Sequence, residues 1–233
     1  MLQQTQVDRV IPYYWAFIKK YPTPRVLARA SLTEVLSAWQ GLGYNRRALR
    51  LRNAAQILSD RYKGRFPRTL EEIQSLPGVG RYTARAVGAF AFNTPAILIE
   101  TNIRTVFLHH CFPRRGKAVP DSKIEARVAE ALNSSGMRPR TFYAALMDYG
   151  SSLKRSGVKL NAQSAQYKKQ PAFKGSSREL RGAIIRLLLD RPYKGEMLAR
   201  KCKRPLFEVD AVLTKLKKEG LVEERKKMFS LSR

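Results

Sequence analysis

The stretch Leu76 to Phe90, LPGVGRYTARAVGAF, constrains the fold more than any other part of the chain. Pro77 ends the helix before it, and Gly78 and Gly80 permit positive φ or a close approach of backbone. Arg81 then opens an Ala-rich helix. Two helices therefore meet at a tight turn around Val79. Backbone N–H groups of the turn and of the second helix's first residues face outward, and such a nest binds phosphate without needing side-chain charge. Arg81 and Arg85 can add that charge. The plainer alternative is an ordinary tight turn.

The sequence around this turn follows the same plan. Helical segments are predicted at 2–19, 33–39, 45–62, 69–75, 81–92, 101–110, 121–133 and 139–149. They are broken by YPTP at 21–24, GLGY at 41–44, KGRFP at 63–67 and PGVG at 77–80. No strand pattern interrupts them, so residues 1–150 are read as one all-α domain. Leu2, Val7, Val10 and Ile11 make the first helix amphipathic from the start. With no capping residue ahead of it, that helix looks already under way at Met1, which predicts that something precedes it.

Residues 151–177, SSLKRSGVKLNAQSAQYKKQPAFKGSS, lose periodicity and read as a basic loop or linker. Three more helical segments follow, ELRGAIIRLLLD, KGEMLARKC and PLFEVDAVLTKLKKEG. The chain then ends in LVEERKKMFSLSR, which alternates like a hairpin. Three helices and a two-stranded hairpin make a small winged-helix-like module over 178–233, with a plain cap as the alternative.

Charge points to the partner. Lys and Arg number 45 against 18 Asp and Glu, a formal net charge of +27. So large an excess predicts a polyanion, and Lys and Arg displacing counterions from phosphates supply most non-specific nucleic-acid affinity. No apolar run is long enough to span a membrane, and the polar start argues against a secretory signal. The two cysteines, Cys111 and Cys202, are read as reduced thiols of a cytoplasmic protein. His109 and His110 beside Cys111 lack further ligands at suitable spacing, so no metal site is expected there.

Glu100 follows the apolar run AILI and precedes a helix. A carboxylate in that position can stabilise positive charge developing on a sugar. It can also simply cap the helix beginning at Thr101, and local sequence favours the cap. Asp148 is read as a capping carboxylate, and Trp15 and Trp39 as core.

Five segments together carry a resemblance: MLQQTQV, WQGLGYNRRALRLRNAA, FPRTLEEIQSLPGVGRYTARAV, the ETN around Glu100, and FYAALMDYG. In this order and spacing they resemble the helix-hairpin-helix DNA glycosylase superfamily, and within it the MutY-type adenine DNA glycosylases. The resemblance implies a helix-hairpin-helix glycosylase fold over residues 1–150. It implies that Gln3 and Gln4 wedge into the base stack and that Tyr44 intercalates beside the damaged guanine. Leu76, Gly78, Val79, Gly80 and Arg81 would hold phosphates flanking a flipped nucleotide, with Arg85 adding charge. Tyr82 and Asn102 would line the sugar pocket. Glu100 stands where the family has Asp, the carboxylate that stabilises the oxocarbenium-like transition state. The extra methylene shifts that charge by about 1 Å, at a cost in rate. Endonuclease III relatives carry a catalytic Lys after the hairpin's Gly-Arg, where this chain has Tyr82. That resembles the monofunctional branch, which lacks lyase chemistry.

Three departures follow. The family's general-acid Glu lies two residues before the Met of MLQQT, so it is expected upstream of Met1, and little catalysis is expected from the chain starting at Met1. The family's four cysteines after MDxG, which hold a [4Fe–4S] cluster, have no counterpart here, so no cofactor is expected. The loop's Lys154, Arg155, Lys159, Lys168, Lys169 and Lys174 are expected to take over phosphate contacts. The usual C-terminal module that checks for 8-oxoguanine is not recognisable in 178–233. The resulting expectation is a cytoplasmic, nucleoid-associated, monomeric enzyme of base excision repair. It would release a flipped adenine lying opposite 8-oxoguanine or G in double-stranded DNA. The alternatives are a glycosylase for T or U opposite G and a non-catalytic, structure-specific DNA-binding protein.

Overall fold

A computed structural model describes residues 1–3, 5–112, 118–165, 167 and 172–232. Gln4, Lys168 and Lys169, three of the residues expected at DNA, lie outside the described residues. The helices are α1 (Val7–Lys20), α2 (Pro24–Arg29), α3 (Leu32–Trp39), α4 (Arg46–Asp60), α5 (Leu70–Ser75), α6 (Arg81–Phe92), α7 (Thr101–Cys111), α8 (Asp121–Ser135) and α9 (Pro139–Arg155). A short 3₁₀ turn (Asn161–Gln163) leads on to α10 (Ser177–Asp190), α11 (Gly195–Cys202) and α12 (Leu206–Lys218). The strands β1 (Val222–Arg225) and β2 (Met228–Leu231) close the order. The expected all-α class is what the chain adopts.

Local chemistry sets the boundaries. Ser31 and Glu34 form a reciprocal capping box at the start of α3. Thr69 accepts from the Glu72 amide ahead of α5. YPTP, read as a break, also starts a helix: Thr23 accepts from the Val26 amide and Pro24 takes the first turn of α2, where its missing N–H is harmless. The first helix begins at Val7 rather than at residue 2. Its expected apolar stripe is not buried either: Leu2, Val7 and Ile11 are exposed, while Val10 and Phe17 face the core. Trp15, expected in the core, is 66% exposed, whereas Trp39 is buried. Asp148 lies inside α9 and caps nothing. That helix runs on to Arg155, so residues 151–155 are its final turn and not loop.

The described chain forms two compact units that do not follow the expected boundaries at 150 and 177. One comprises Met1–Phe66 with Pro171–Arg233, and the other Pro67–Gln170. In the first, Leu32, Val35, Leu36 and Trp39 of α3 share one continuous core with Ile184, Ile185 and Leu188 of α10 and Leu213 and Leu216 of α12. Each such side chain contributes about 1.5–3 kcal/mol by leaving water, so the C-terminal module folds as part of this unit. The module keeps the winged-helix plan. β1 and β2 pair antiparallel with Val222 opposite Leu231, and Tyr193 exchanges backbone hydrogen bonds with Phe229 as a third rung. Lys226 and Lys227 make the two-residue turn, both with positive φ (49° and 62°), an unusual conformation for lysine.

The second unit holds α5 to α9. Ile103 and Leu108 of α7, Ile124 and Val128 of α8, and Tyr143 of α9 are fully buried at its centre. Gly88 lets α6 approach α5 closely, since a Cβ there would lie 2.8 Å from Leu70 Cδ2. Among the described residues no helix is long and apolar enough to cross a membrane.

Candidate active site

The helix–turn–helix opens the second unit. α5 ends at Ser75, the Val79 amide donates to the Leu76 carbonyl at 3.1 Å, and Gly78 adopts φ +80°. Leu76 is buried and anchors the turn, so it can meet a phosphate only through its backbone. Gly80 is the N-cap of α6 and supplies no side-chain cap. The first-turn amides of Arg81 and Tyr82 are therefore left to an outside acceptor, assisted by the helix dipole. The Arg81 side chain is 67% exposed and stands 3.8 Å from Glu125, too loosely held to be neutralised.

Arg85 departs from expectation. It donates to the Ile97 carbonyl at 3.0 Å and to Glu125 at 3.1 Å, and its side chain is only 24% exposed. Its charge is engaged inside the unit, where it ties α6 to the segment leading to Glu100.

That segment, 94–100, has no regular secondary structure and is pinned by Tyr143. The buried phenol donates to the Ala96 carbonyl at 2.8 Å and accepts from the Leu98 amide at 3.2 Å. Glu100 then caps α7: its Oε1 accepts from the amides of Asn102 at 2.5 Å and Ile103 at 2.9 Å. The capping reading holds: one oxygen satisfies the helix and fixes the carboxylate, and Oε2 takes no part in the cap.

Tyr82 and Lys154 both sense the charge of this carboxylate. The Tyr82 phenol, one residue past the turn's Arg81, is pushed above the ordinary tyrosine range, first by burial and then by the charge of Glu100. The Lys154 ammonium donates to Asn102 Oδ1 at 2.5 Å. Burial lowers its pKa, against an opposing pull from Glu100. Gly150 makes the contact between Lys154 and Asn102 possible. A Cβ on it would lie 2.3 Å from the Asn102 carbonyl oxygen, 2.6 Å from the carbonyl carbon and 2.9 Å from Cα, so only glycine lets α9 lie against the start of α7.

The first unit carries the remaining residues. In GLGY, Gly41, Gly43 and Tyr44 all have positive φ (92°, 70° and 50°). A side chain at Gly41 would strike the Tyr13 hydroxyl at 2.1 Å. Tyr44 is 40% exposed, with the Arg47 guanidinium 5.5 Å from its ring centre. Arg47 also donates to the carbonyls of Met1 (2.9 Å), Leu42 (3.2 Å) and Gly43 (3.4 Å), and to Thr5 Oγ1 (3.4 Å). This one side chain brings Gln3, which is exposed, into the same neighbourhood as Tyr44. Burial lowers the Arg47 pKa from its usual value.

Sequence reasoning missed Arg47, Tyr143, Gly150 and Lys154 as builders of these sites. Gly150 could have been found, since a glycine inside a helical pattern marks close packing. Lys154 was instead grouped with the phosphate-contacting loop lysines, a reading its inward hydrogen bond overturns.

The second unit thus carries an outward-facing turn between helices and an anchored carboxylate. Residues 1–133 match the HhH-GPD superfamily base excision DNA repair protein family. The chain belongs to that family. The adenine DNA glycosylase of Mycolicibacterium smegmatis is 34% identical over 206 residues, covering 82% of this chain and 69% of its own length. The human adenine DNA glycosylase is 40% identical over 158 residues, covering 66% of this chain and 28% of its own. That of Buchnera aphidicola subsp. Baizongia pistaciae is 43% identical over 110 residues and is covered over 31% of its length. The chain thus spans less than a third of the last two proteins. The fold is shared with a thermostable thymine-DNA glycosylase, at a TM-score of 0.55 and 23% identity over 71% of this chain and 79% of that one.

Proposed function

We propose that this protein is a base-excision DNA glycosylase that hydrolyses the N-glycosidic bond of an adenine mispaired with 8-oxoguanine or G. The observation that carries the reading is the Glu100 carboxylate, fixed by two α7 amides and close enough to Tyr82, at the mouth of the hairpin, to perturb it. Departure of a base leaves positive charge shared between C1′ and the ring oxygen of the sugar. A carboxylate held beside that position stabilises the charge without having to reorganise. Tyr82 stays neutral at physiological pH, so it contributes a hydroxyl and not a second anion. Asn102, held by Lys154, offers its amide to the sugar or to the attacking water. Phosphates flanking the flipped nucleotide would meet the amides at the start of α6 and the Arg81 side chain; Gln3 and Tyr44 are proposed as DNA contacts of the first unit. Arg155, Lys159 and Lys174 are exposed and suited to further phosphate contacts.

The preference for adenine rests on the relatives named adenine DNA glycosylases. The reading includes no iron–sulfur cluster, because two cysteines cannot furnish four thiolates. It takes the protein to be a monomer working at a mismatch in the cell's DNA.

The test is base release from matched duplexes carrying A opposite 8-oxoguanine, T opposite G, or U opposite G, with protein in excess and long incubation. Adenine release alone is expected. Release of thymine or uracil in its place would reassign the substrate. Tight duplex binding with no base released from any of the three would make the protein a non-catalytic DNA binder.

A further inference from the structure

We propose that the helix pair α11–α12 and the β1–β2 hairpin form a second surface for duplex DNA. α12 enters the major groove, Phe207, Ala211 and Thr214 meet thymine methyl groups, and Lys203, Lys226 and Lys227 meet phosphates. The proposal goes beyond the glycosylase reading and does not depend on it, because this surface lies wholly within the first unit.

The exposed face of α12 carries one half of the argument. Val209, Val212, Leu213 and Leu216 are buried in the core shared with α10, so the helix is firmly seated. Phe207, Ala211, Thr214 and Lys218 recur at helical spacing on the opposite side, and all are exposed. Phe207 is 72% exposed, so its ring contributes little to the fold by burial. In a helix-turn-helix pair the N-terminal residues of the second helix reach the base edges. Phe, Ala and Thr are side chains that make apolar contact with the thymine methyl group. The acids beside this stripe are engaged within the module. Glu208 pairs with Arg204, and a Cβ on Gly195 would lie 3.3 Å from Asp210 Oδ1, which puts that carboxylate at the start of α11.

The backbone at three lysines carries the other half. Six described residues other than glycine have positive φ, and three of them are lysines of this module: Lys203 (52°), Lys226 (49°) and Lys227 (62°). Lys203 ends α11, where glycine is the usual residue. Lys226 and Lys227 make the hairpin turn, where Asn-Gly is usual. Lysine costs stability in each of these left-handed positions. No contact within the fold accounts for the choice. All three side chains are exposed, and among the described residues none forms an ion pair, since Glu223 and Glu224 beside the turn are taken by Arg225 and Lys217. Cations kept where the backbone disfavours them point to an anion outside the protein. A DNA duplex suits both halves, offering phosphates to the lysines and thymine methyls to the apolar stripe.

The test uses the full chain and a fully matched, undamaged duplex, so base release does not enter. Lys226→Asn combined with Lys227→Gly installs the residues that this turn prefers, so the hairpin is stabilised as its charge is removed. The expected result is a melting temperature no lower than that of the wild-type chain, with a log–log salt dependence of duplex affinity shallower by about two. In a second arm, thymines are replaced by 5-iodouracil, whose iodine stands where the methyl group projects into the major groove. Irradiation is expected to join the duplex to a peptide containing Phe207, and Phe207→Ala to abolish that adduct at unchanged melting temperature. A salt slope unchanged in the folded double variant would overturn the proposal. So would crosslinks that leave α12 unmarked, and Phe207 and the three lysines would then serve a partner other than DNA. Failure of adenine release, by contrast, would remove the glycosylase reading and leave this surface standing.

Discussion

Glu100→Gln is expected to lower the rate of adenine release by about 10²–10³-fold while leaving duplex affinity and melting temperature nearly unchanged. The substitution is nearly isosteric, and the glutamine side-chain oxygen can still accept from the amides of Asn102 and Ile103, so the cap on α7 survives. What disappears is the negative charge facing the sugar. Single-turnover kinetics at saturating protein separate this from a binding defect, because a loss confined to the chemical step marks an interaction made only in the transition state. A large fall in melting temperature with little change in rate would instead assign Glu100 to helix capping alone.

Gly150→Ala is expected to be strongly damaging. The new carbon would press on the carbonyl oxygen, carbonyl carbon and Cα of Asn102, all within 2.9 Å and all backbone, so no side chain can swing away to admit it. α9 must move away from α7, at a cost of about 1–3 kcal/mol or more. That cost exceeds the roughly 0.5–1 kcal/mol that alanine gains over glycine inside a helix. Displacing Asn102 and Lys154 by about 1 Å should also slow base release by about 10²-fold. Gly182→Ala in α10 is the matched control, a helical glycine whose Cβ would meet nothing within 4 Å. It should stabilise the protein slightly. Equal melting shifts for the two variants would show that contact with Asn102 is not what sets the cost.

These two residues also mark how far sequence reasoning reached. The turn at PGVG and the helices around it were legible because proline and glycine act locally, and α6 occupies the predicted residues 81–92. Glu100 was legible as a cap, which its bonds to the amides of Asn102 and Ile103 bear out; the proposed catalytic role would use its other oxygen. The failures were of tertiary origin. Whether Arg85 faces solvent depends on Glu125, forty residues away in the chain, and whether Lys154 faces a phosphate or Asn102 depends on the packing permitted by Gly150. The apolar pattern of α1 misled because Val7 and Ile11 meet no partner in this unit. The grouping of the C-terminal helices with residues 1–66 was not legible, since a shared core between α3 and α10 leaves no local trace.

A paired affinity measurement tests the central electrostatic claim most directly and requires no turnover. Two duplexes are compared, one with a neutral tetrahydrofuran and one with a cationic pyrrolidine in place of the target sugar; the second mimics the charge of the transition state. If a fixed anion at position 100 serves the sugar, the wild-type chain binds the cationic duplex tighter by about 10²-fold or more, and Glu100→Gln erases the difference. Equal affinity for the two duplexes, or a preference that survives Glu100→Gln, would contradict it.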